Sequence, residues 1–266
     1  EIGSALAEAC ADGTVDRSEV WITSKLWNNA HYPADVQPAL EKTLTDLQID
    51  YVDLFLMHWP VVIRPGLLYH QSVEDLVSLE KMPIMRTWEA MEAMVDQGRC
   101  RHLGVSNFSI AKLRTLIASA RIKPEMNQIE LHPYLQQPEM LEFCRTNGVH
   151  LTAYAPLGSS DRPARLRVDN EPVLLDDPVI GRIAADHGAS PAQVLISWAI
   201  GRGTAVIPKS ANPVRIEQNF KAEQLALSDR ERADIAALDR CRRYVSGTFW
   251  TPQGSPYTIA NLWDES

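Results

Sequence analysis

Six short β-rich runs in this chain stop at polar or ionisable side chains. The run Val20–Ser24 ends at Lys25, followed by Leu26-Trp27, and Tyr51–Met57 ends at His58-Trp59-Pro60. Arg101–Val105 ends at Ser106-Asn107, and Met126–Glu130 closes with Gln128-Ile129-Glu130. His150–Ala153 ends at Tyr154, and Thr204–Ile207 ends at Pro208-Lys209-Ser210. Singly, a lysine after a strand is a solvated charge and a histidine is a loop residue or core hydrogen-bonder. Six such positions in register are not a chance pattern. Lys209 and Arg215 also flank a short helix opened by Pro213, whose first-turn N–H groups suit a phosphate.

Other chemistries are less well supplied. There is no G-x-G-x-x-G, no G-x-x-x-x-G-K-[ST] and no G-x-S-x-G, so the common nucleotide loops and the hydrolase elbow are missing. The seven histidines form no H-E-x-x-H, and Cys10, Cys100, Cys144 and Cys241 fit no zinc or disulfide spacing. No metal site is expected, and a reducing, cytoplasmic setting follows from the cysteines. Lys25 as a Schiff-base lysine would need a desolvated site. That reading leaves the Ser-Asn, Gln and Tyr positions unexplained.

The elements that must position these groups alternate. Val36, Leu40, Leu44 and Leu47 share one helical face, and Trp88, Met91, Met94 and Val95 another. Ser109 reads as an N-cap before Leu113, Leu116 and Ile117. Pro138, Pro191 and Pro213 suit first turns, Gly98, Gly148 and Gly188 suit helix ends, and Ser228-x-x-Glu231 reads as a capping box. Repeated strand–helix units imply a parallel sheet. Two architectures fit: an open doubly wound sheet, or a (β/α)8 barrel lacking its first two strands. In a barrel all six strand ends meet at one mouth; in an open sheet only those beside the switch point do.

At 266 residues the chain suits a single barrel domain, and no Pro/Gly/Ser-rich linker divides it. Lys and Arg number 26 against 34 Asp and Glu, a net charge of −8, which disfavours nucleic acid and anionic membranes as partners. No apolar run approaches the roughly 20 residues of a membrane span. Leu157–Asp176 is the longest irregular stretch, and long loops in compact domains are mostly functional. Residues 244–266, with Trp250, Tyr257 and Trp263, read as a tail folded over a surface, the barrel mouth in the barrel reading.

Thr23-Ser24-Lys25-Leu26-Trp27, His58-Trp59-Pro60, Gly104-Val105-Ser106-Asn107-Phe108 and Asn127-Gln128-Ile129-Glu130 resemble the aldo-keto reductase family. So do Ala153-Tyr154-Ala155-Pro156-Leu157-Gly158-Ser159 and Ile207-Pro208-Lys209-Ser210. Each motif is weak alone. All six occur in the family's order and spacing over essentially the whole chain. The resemblance, closest in kind to aldehyde and aldose reductases, implies an α/β (β/α)8 TIM barrel. It also implies NADPH-dependent reduction of aldehydes and ketones by a monomer.

Residue roles carry over from that resemblance. Lys25 matches the lysine that lowers the pKa of a catalytic tyrosine, and His58 the histidine that orients the carbonyl. Ser106, Asn107 and Gln128 match groups that bond the nicotinamide carboxamide, and Tyr154 the aromatic stacked on its face. Leu157, Ser159 and Asp161 lie on the loop that folds over the pyrophosphate. Lys209, Ser210 and Arg215 match the 2′-phosphate site, and Gln218 and Asn219 the adenine contacts. Gln218 stands where many members have Glu, and Ala155 where Ser is common. Trp27, Trp59 and Trp250 are expected to line an apolar substrate pocket, with the loop Val61–Lys81 beside it; Trp263 is expected only to pack the tail.

Glu1-Ile2-Gly3-Ser4-Ala5-Leu6 resembles the helix after the family's second strand. The expectation is therefore that two strands, with the family's catalytic Asp and Tyr, lie upstream of residue 1, and that this chain alone is inactive. The alternative from another class is a non-catalytic NADPH-binding sensor or regulator on the same fold.

Overall fold

Apolar runs and capping residues divide the chain into alternating strands and helices. In chain order these are α1 (Ile2–Ala11), β1 (Thr23–Leu26), α2 (Pro33–Leu47), β2 (Val52–Met57), β3 (Val62–Ile63) and β4 (Leu76–Val77). Next come α3 (Ile84–Asp96), β5 (Cys100–Ser106), α4 (Ile110–Ser119), β6 (Met126–Glu130), α5 (Pro138–Asn147) and β7 (His150–Tyr154). The last are α6 (Pro178–Asp186), α7 (Pro191–Gly201), β8 (Ala205–Val206), α8 (Pro213–Lys221), α9 (Asp229–Ala236) and α10 (Ile259–Trp263). This computed structural model describes residues 1–264, Arg165 by its backbone alone, so the end of the expected tail lies outside the described residues. The fold is α/β with a six-stranded parallel sheet, and β3 and β4 form a separate antiparallel pair.

Local chemistry accounts for most boundaries. Pro138, Pro191 and Pro213 open α5, α7 and α8, where a missing N–H costs no helical bond. Ser109 caps α4 by accepting from the Lys112 N–H, and Ser228 and Glu231 form the reciprocal box that opens α9. Two strands differ from expectation. β1 starts at Thr23 rather than Val20, because Asp16 and Glu19 cap a 3-10 turn over Arg17–Glu19 and Arg17 Nη1 takes the Val20 carbonyl at 2.6 Å. β8 is only Ala205–Val206, because Thr204 is tied back to the Ala199 carbonyl through its Oγ1 at 2.6 Å.

The described residues form two compact units, one from Glu1–Asn127 with the segment from Gly247 onward, the other from Gln128–Ser246. In the first, β1, β2 and β5 are parallel, with Lys25 opposite Leu56 and Leu56 opposite Gly104. Every β2 residue is buried, as in a strand covered on both faces. A Cβ at Gly104 would fall 2.6 Å from Leu56 Cδ2 and 2.7 Å from the Met126 carbonyl oxygen, so only glycine fits there. Buried Asp53 accepts from Arg17 at 2.9 Å, Arg101 at 3.1 Å and the Ile22 N–H at 2.9 Å. Burial pushes its carboxyl up, but these donors outweigh it and hold it below the usual carboxylate range.

The pair β3–β4 has no signal in the local sequence. Two-residue strands leave no periodicity to read, and the tail fixes them: Tyr257 Oη accepts from the Val62 N–H at 2.9 Å and donates to the Val77 carbonyl at 2.5 Å. In the second unit β7 and β8 are parallel, with Thr152 opposite Ala205, and α7 buries Val194 through Ala199. Buried Glu130 accepts from the N–H groups of Tyr244 at 2.6 Å and Val245 at 2.8 Å, which anchors the start of the expected tail.

Candidate active site

In the first unit β1 and β2 end level with each other. Leu26 lies opposite Met57, and the His58 N–H continues the ladder to the Leu26 carbonyl at 3.1 Å. That register places Lys25 and His58 at the same sheet end. Lys25 is half-buried, and its ammonium makes no hydrogen bond or ion pair among the described residues; burial lowers its pKa. His58 is pushed down to about 3, first by burial and then by the Lys25 charge. It is therefore neutral near pH 7, with one ring nitrogen a donor and the other an acceptor.

A second histidine lies beside this pair. His31, 2% exposed, follows a 3-10 turn over Asn28–Ala30 and is pushed down to about 3, first by burial and then by the repulsion that protonated His58 would exert on it. Its carbonyl accepts from Thr87 Oγ1 at 2.7 Å. Sequence reasoning missed His31, because nothing local marks a histidine as buried.

An aromatic cluster reaches His58 through Trp27. Trp27 meets His58 edge-on at 4.9 Å between centroids, and its Nε1 donates to the Leu68 carbonyl at 2.6 Å. Trp250 lies 6.1 Å from both Trp27 and Trp59, and Trp59 also packs on Trp263 at 5.7 Å. Tyr69 and His70, in the loop between β3 and β4, pack on Trp27 and Trp250 at 5.8 Å each. Gly247 lets the returning segment turn here: its φ is +82°, and a Cβ would stand 2.5 Å from Leu262 Cδ2. Ser106, which ends β5, and Asn107, which follows it, are both buried in the same unit. Asn107 has φ +62°, and its Nδ2 donates to the His58 carbonyl at 3.0 Å and to Ser106 Oγ at 3.2 Å.

Gln128 is buried on β6, and Tyr154 closes β7. Burial and the Glu130 charge push the Tyr154 phenol well above its ordinary value, which makes it a poorer acid than a free tyrosine.

The second unit holds an open groove of about 690 Å³. Leu157, Ser159, Asp161, Lys209, Ser210 and Arg215 all line it. Lys209 faces Asp161 across it at 3.7 Å. The Arg215 side chain is exposed and makes no hydrogen bond or ion pair among the described residues. One expectation needs correction here. The first turn of α8 does not offer all its N–H groups, because the Asn212 side chain caps the Arg215 N–H at 3.2 Å. An anion would rely chiefly on the Lys209 and Arg215 side chains. Gln218 and Asn219 lie one turn further along α8, on the face of Arg215, and do not line the groove.

Among the described residues no three His, Cys, Asp or Glu side chains are arranged to hold a metal ion, and no helix is long and apolar enough to cross a membrane.

Residues 1–240 match the aldo/keto reductase family. An aldo/keto reductase of Synechocystis sp. is 57% identical over 265 residues, covering 100% of this chain and 81% of that protein. The mouse aldo-keto reductase family 1 member A1 is 43% identical over 247 residues, covering 92% of this chain and 75% of its own length. The human protein of the same name is 42% identical over the same shares.

Proposed function

The chain belongs to the aldo/keto reductase family, and on that premise we propose that it reduces aldehydes and ketones with NADPH, using Lys25 and His58. As an aldo/keto reductase it acts on small carbonyl compounds. The observation that carries the reading is the pair itself: a half-buried, unpaired lysine beside a histidine kept neutral by burial, with Trp27 against its ring.

NADPH supplies a hydride when bound. His58 offers a ring N–H to the carbonyl oxygen without adding charge to a site that already holds an ammonium. Lys25 favours the anion of a neighbouring phenol, so a tyrosine is the proton donor this pair would serve. Among the described residues no tyrosine hydroxyl is hydrogen-bonded to Lys25 or His58, and Tyr154 is shifted the wrong way for the task. Tyr154 suits stacking on the nicotinamide. Ser106, Asn107 and Gln128 carry the hydroxyl and amide groups that complement a carboxamide. Trp27, Trp59 and Trp250 favour carbonyl substrates with apolar or aromatic groups.

The residues present fit NADPH. The groove's two exposed cations, Lys209 and Arg215, would hold the 2′-phosphate together with Ser210, and Leu157, Ser159 and Asp161 would form the edge over the pyrophosphate. Gln218 and Asn219 would take the adenine. The alternation of strands and helices supports a single (β/α)8 barrel domain. With four free cysteines and a net charge of −8, we place the protein in the cytoplasm without nucleic-acid or membrane partners, and the family resemblance implies a monomer.

The test is NADPH consumption by the protein with an aromatic aldehyde. Turnover with NADPH, and weaker binding of NADH, is expected. A protein that neither binds nor oxidises NADPH would overturn the reading, and equal affinity for NADH would overturn the phosphate assignment.

A further inference from the structure

The stretch between β7 and α6 is long, with only two 3-10 turns, at Ala164–Leu166 and Leu174–Asp176. Ordering such a segment is entropically costly, so some contact must hold it. One buried cation does. Arg162 is 8% exposed, and all three of its nitrogens are engaged within the loop. Its Nη1 donates to the Ser159 carbonyl at 2.9 Å, its Nε to the Leu166 carbonyl at 3.0 Å, and its Nη2 pairs with Glu171. The Arg162 carbonyl in turn accepts from Arg167 Nε at 2.8 Å.

The back of the guanidinium lies 5.0 Å from the ring centroid of Tyr244. That ring is itself fixed at both ends. Tyr244 Oη donates to the Pro172 carbonyl at 2.6 Å, and its N–H is held by buried Glu130. Arg242 supports the same pair, at 3.8 Å from Glu171 and 5.7 Å from the Tyr244 ring. Arg162 does not line the groove; Ser159 and Asp161, three residues and one residue before it, do. Ser159 has φ +48°, a conformation that a non-glycine residue keeps only when its surroundings impose it. The Ser159 carbonyl meets two donors of Arg162, the backbone N–H at 3.2 Å and Nη1 at 2.9 Å, and the second ties it to the buried side chain.

We propose that Arg162 is a positioning residue for the cofactor: through Ser159 and Asp161 it sets the groove edge that holds the pyrophosphate, and so controls how tightly NADPH is held without touching it. This rests on the reading of the groove as the NADPH site. The planar fork is essential, because a lysine ammonium cannot reach two carbonyls and a carboxylate in these directions.

The experiment compares two ligands on the full-length protein. NADPH spans the whole groove, whereas adenosine 2′-phosphate uses only the Lys209–Arg215 end. For Arg162→Ala, the NADPH Kd should rise at least about tenfold, mainly through faster release, while the adenosine 2′-phosphate Kd stays within about twofold. Arg162→Lys should recover little of the loss. Glu171→Gln removes the ion pair but keeps Arg162, and should weaken NADPH alone by a smaller factor; it carries the test if the alanine variant does not fold. An unchanged NADPH Kd, or equal weakening of both ligands, would overturn the proposal. A wild-type protein that binds neither ligand would instead overturn the NADPH reading beneath it.

Discussion

Lys25, in the first unit, is half-buried beside His58 and Trp27 with no ion pair; Lys209, in the second, is 78% exposed with Asp161 at 3.7 Å. The same side chain thus stands in two different surroundings, and on the proposed function it serves two kinds of chemistry. Around Lys25 desolvation does the selecting: burial lowers its pKa, and the histidines beside it are held neutral. Around Lys209 the charge stays solvated, and its contact with the Asp161 carboxylate is loose. A dry site tunes how readily protons move, whereas a wet groove tunes what is held and how fast it leaves.

The largest expected effect would break this contrast most directly. Lys25→Met should lower turnover by about 10³-fold, within the usual range for acid–base groups, and leave the NADPH Kd within about threefold. Lys209→Met should do the reverse, raising the Kd with little change in kcat. Steady-state kinetics and cofactor titration of the two variants, side by side, decide it. If both variants lost turnover equally, the division of labour between the two regions would be wrong.

Arg215→Ala comes next. Losing one charge-assisted contact to a phosphate is worth about 1.5–3 kcal/mol, so NADPH should bind roughly 10- to 100-fold more weakly. NADH lacks the 2′-phosphate and should change by less than about twofold. Isothermal titration with both cofactors sharpens the contrast, because it reads the wet groove alone. Equal losses for both cofactors would mean that Arg215 serves adenine rather than phosphate.

The two regions were also unequally legible. Lys25, His58, Lys209 and Arg215 stand at strand ends or helix starts, and the boundaries there follow from short-range rules: Pro213 opens α8, and Ser228 with Glu231 opens α9. Burial of a polar group obeys no short-range rule. Asp53, His31 and Arg162 each look like ordinary polar residues until distant partners enclose them, Arg17 and Arg101 around the first and Tyr244 and Glu171 around the last. The strands β3 and β4 were hidden for the same reason, because Tyr257, far along the chain, holds them in register. Trp263, expected only to pack, does pack on Trp59.

A smaller effect tests the dry region through pH. His31 and His58 both fall to about 3 when folded, against roughly 6.5 for an unfolded histidine. Between those values the unfolded chain binds more protons than the folded one, so stability must fall as pH drops through this window. At pH 5.5 the loss is about 1.3 kcal/mol per histidine relative to pH 7. Thermal melts from pH 7.5 to 5 should show it, and His31→Leu should roughly halve the slope, since the buried Nε2 of His31 has no hydrogen-bond partner to lose. Hydrogen exchange should place the acid-sensitive opening around β1 and β2. An acid response centred on the Lys209 groove would reverse the contrast.

The smallest effect belongs to the groove's own ion pair. Asp161 and Lys209 are 73% and 78% exposed, and 3.7 Å is a loose contact, so solvent and salt screen most of their attraction. Asp161→Asn loses that attraction but also removes a negative charge from a groove proposed to hold phosphates, and the two consequences oppose each other. The NADPH Kd should therefore move by less than about threefold, in contrast to the loss expected at Arg215. The residual effect should shrink further as ionic strength rises, because both parts are electrostatic and open to solvent. A larger, salt-independent loss on Asp161→Asn would show that this carboxylate holds the loop through a buried contact, and the groove would then resemble the dry region rather than oppose it.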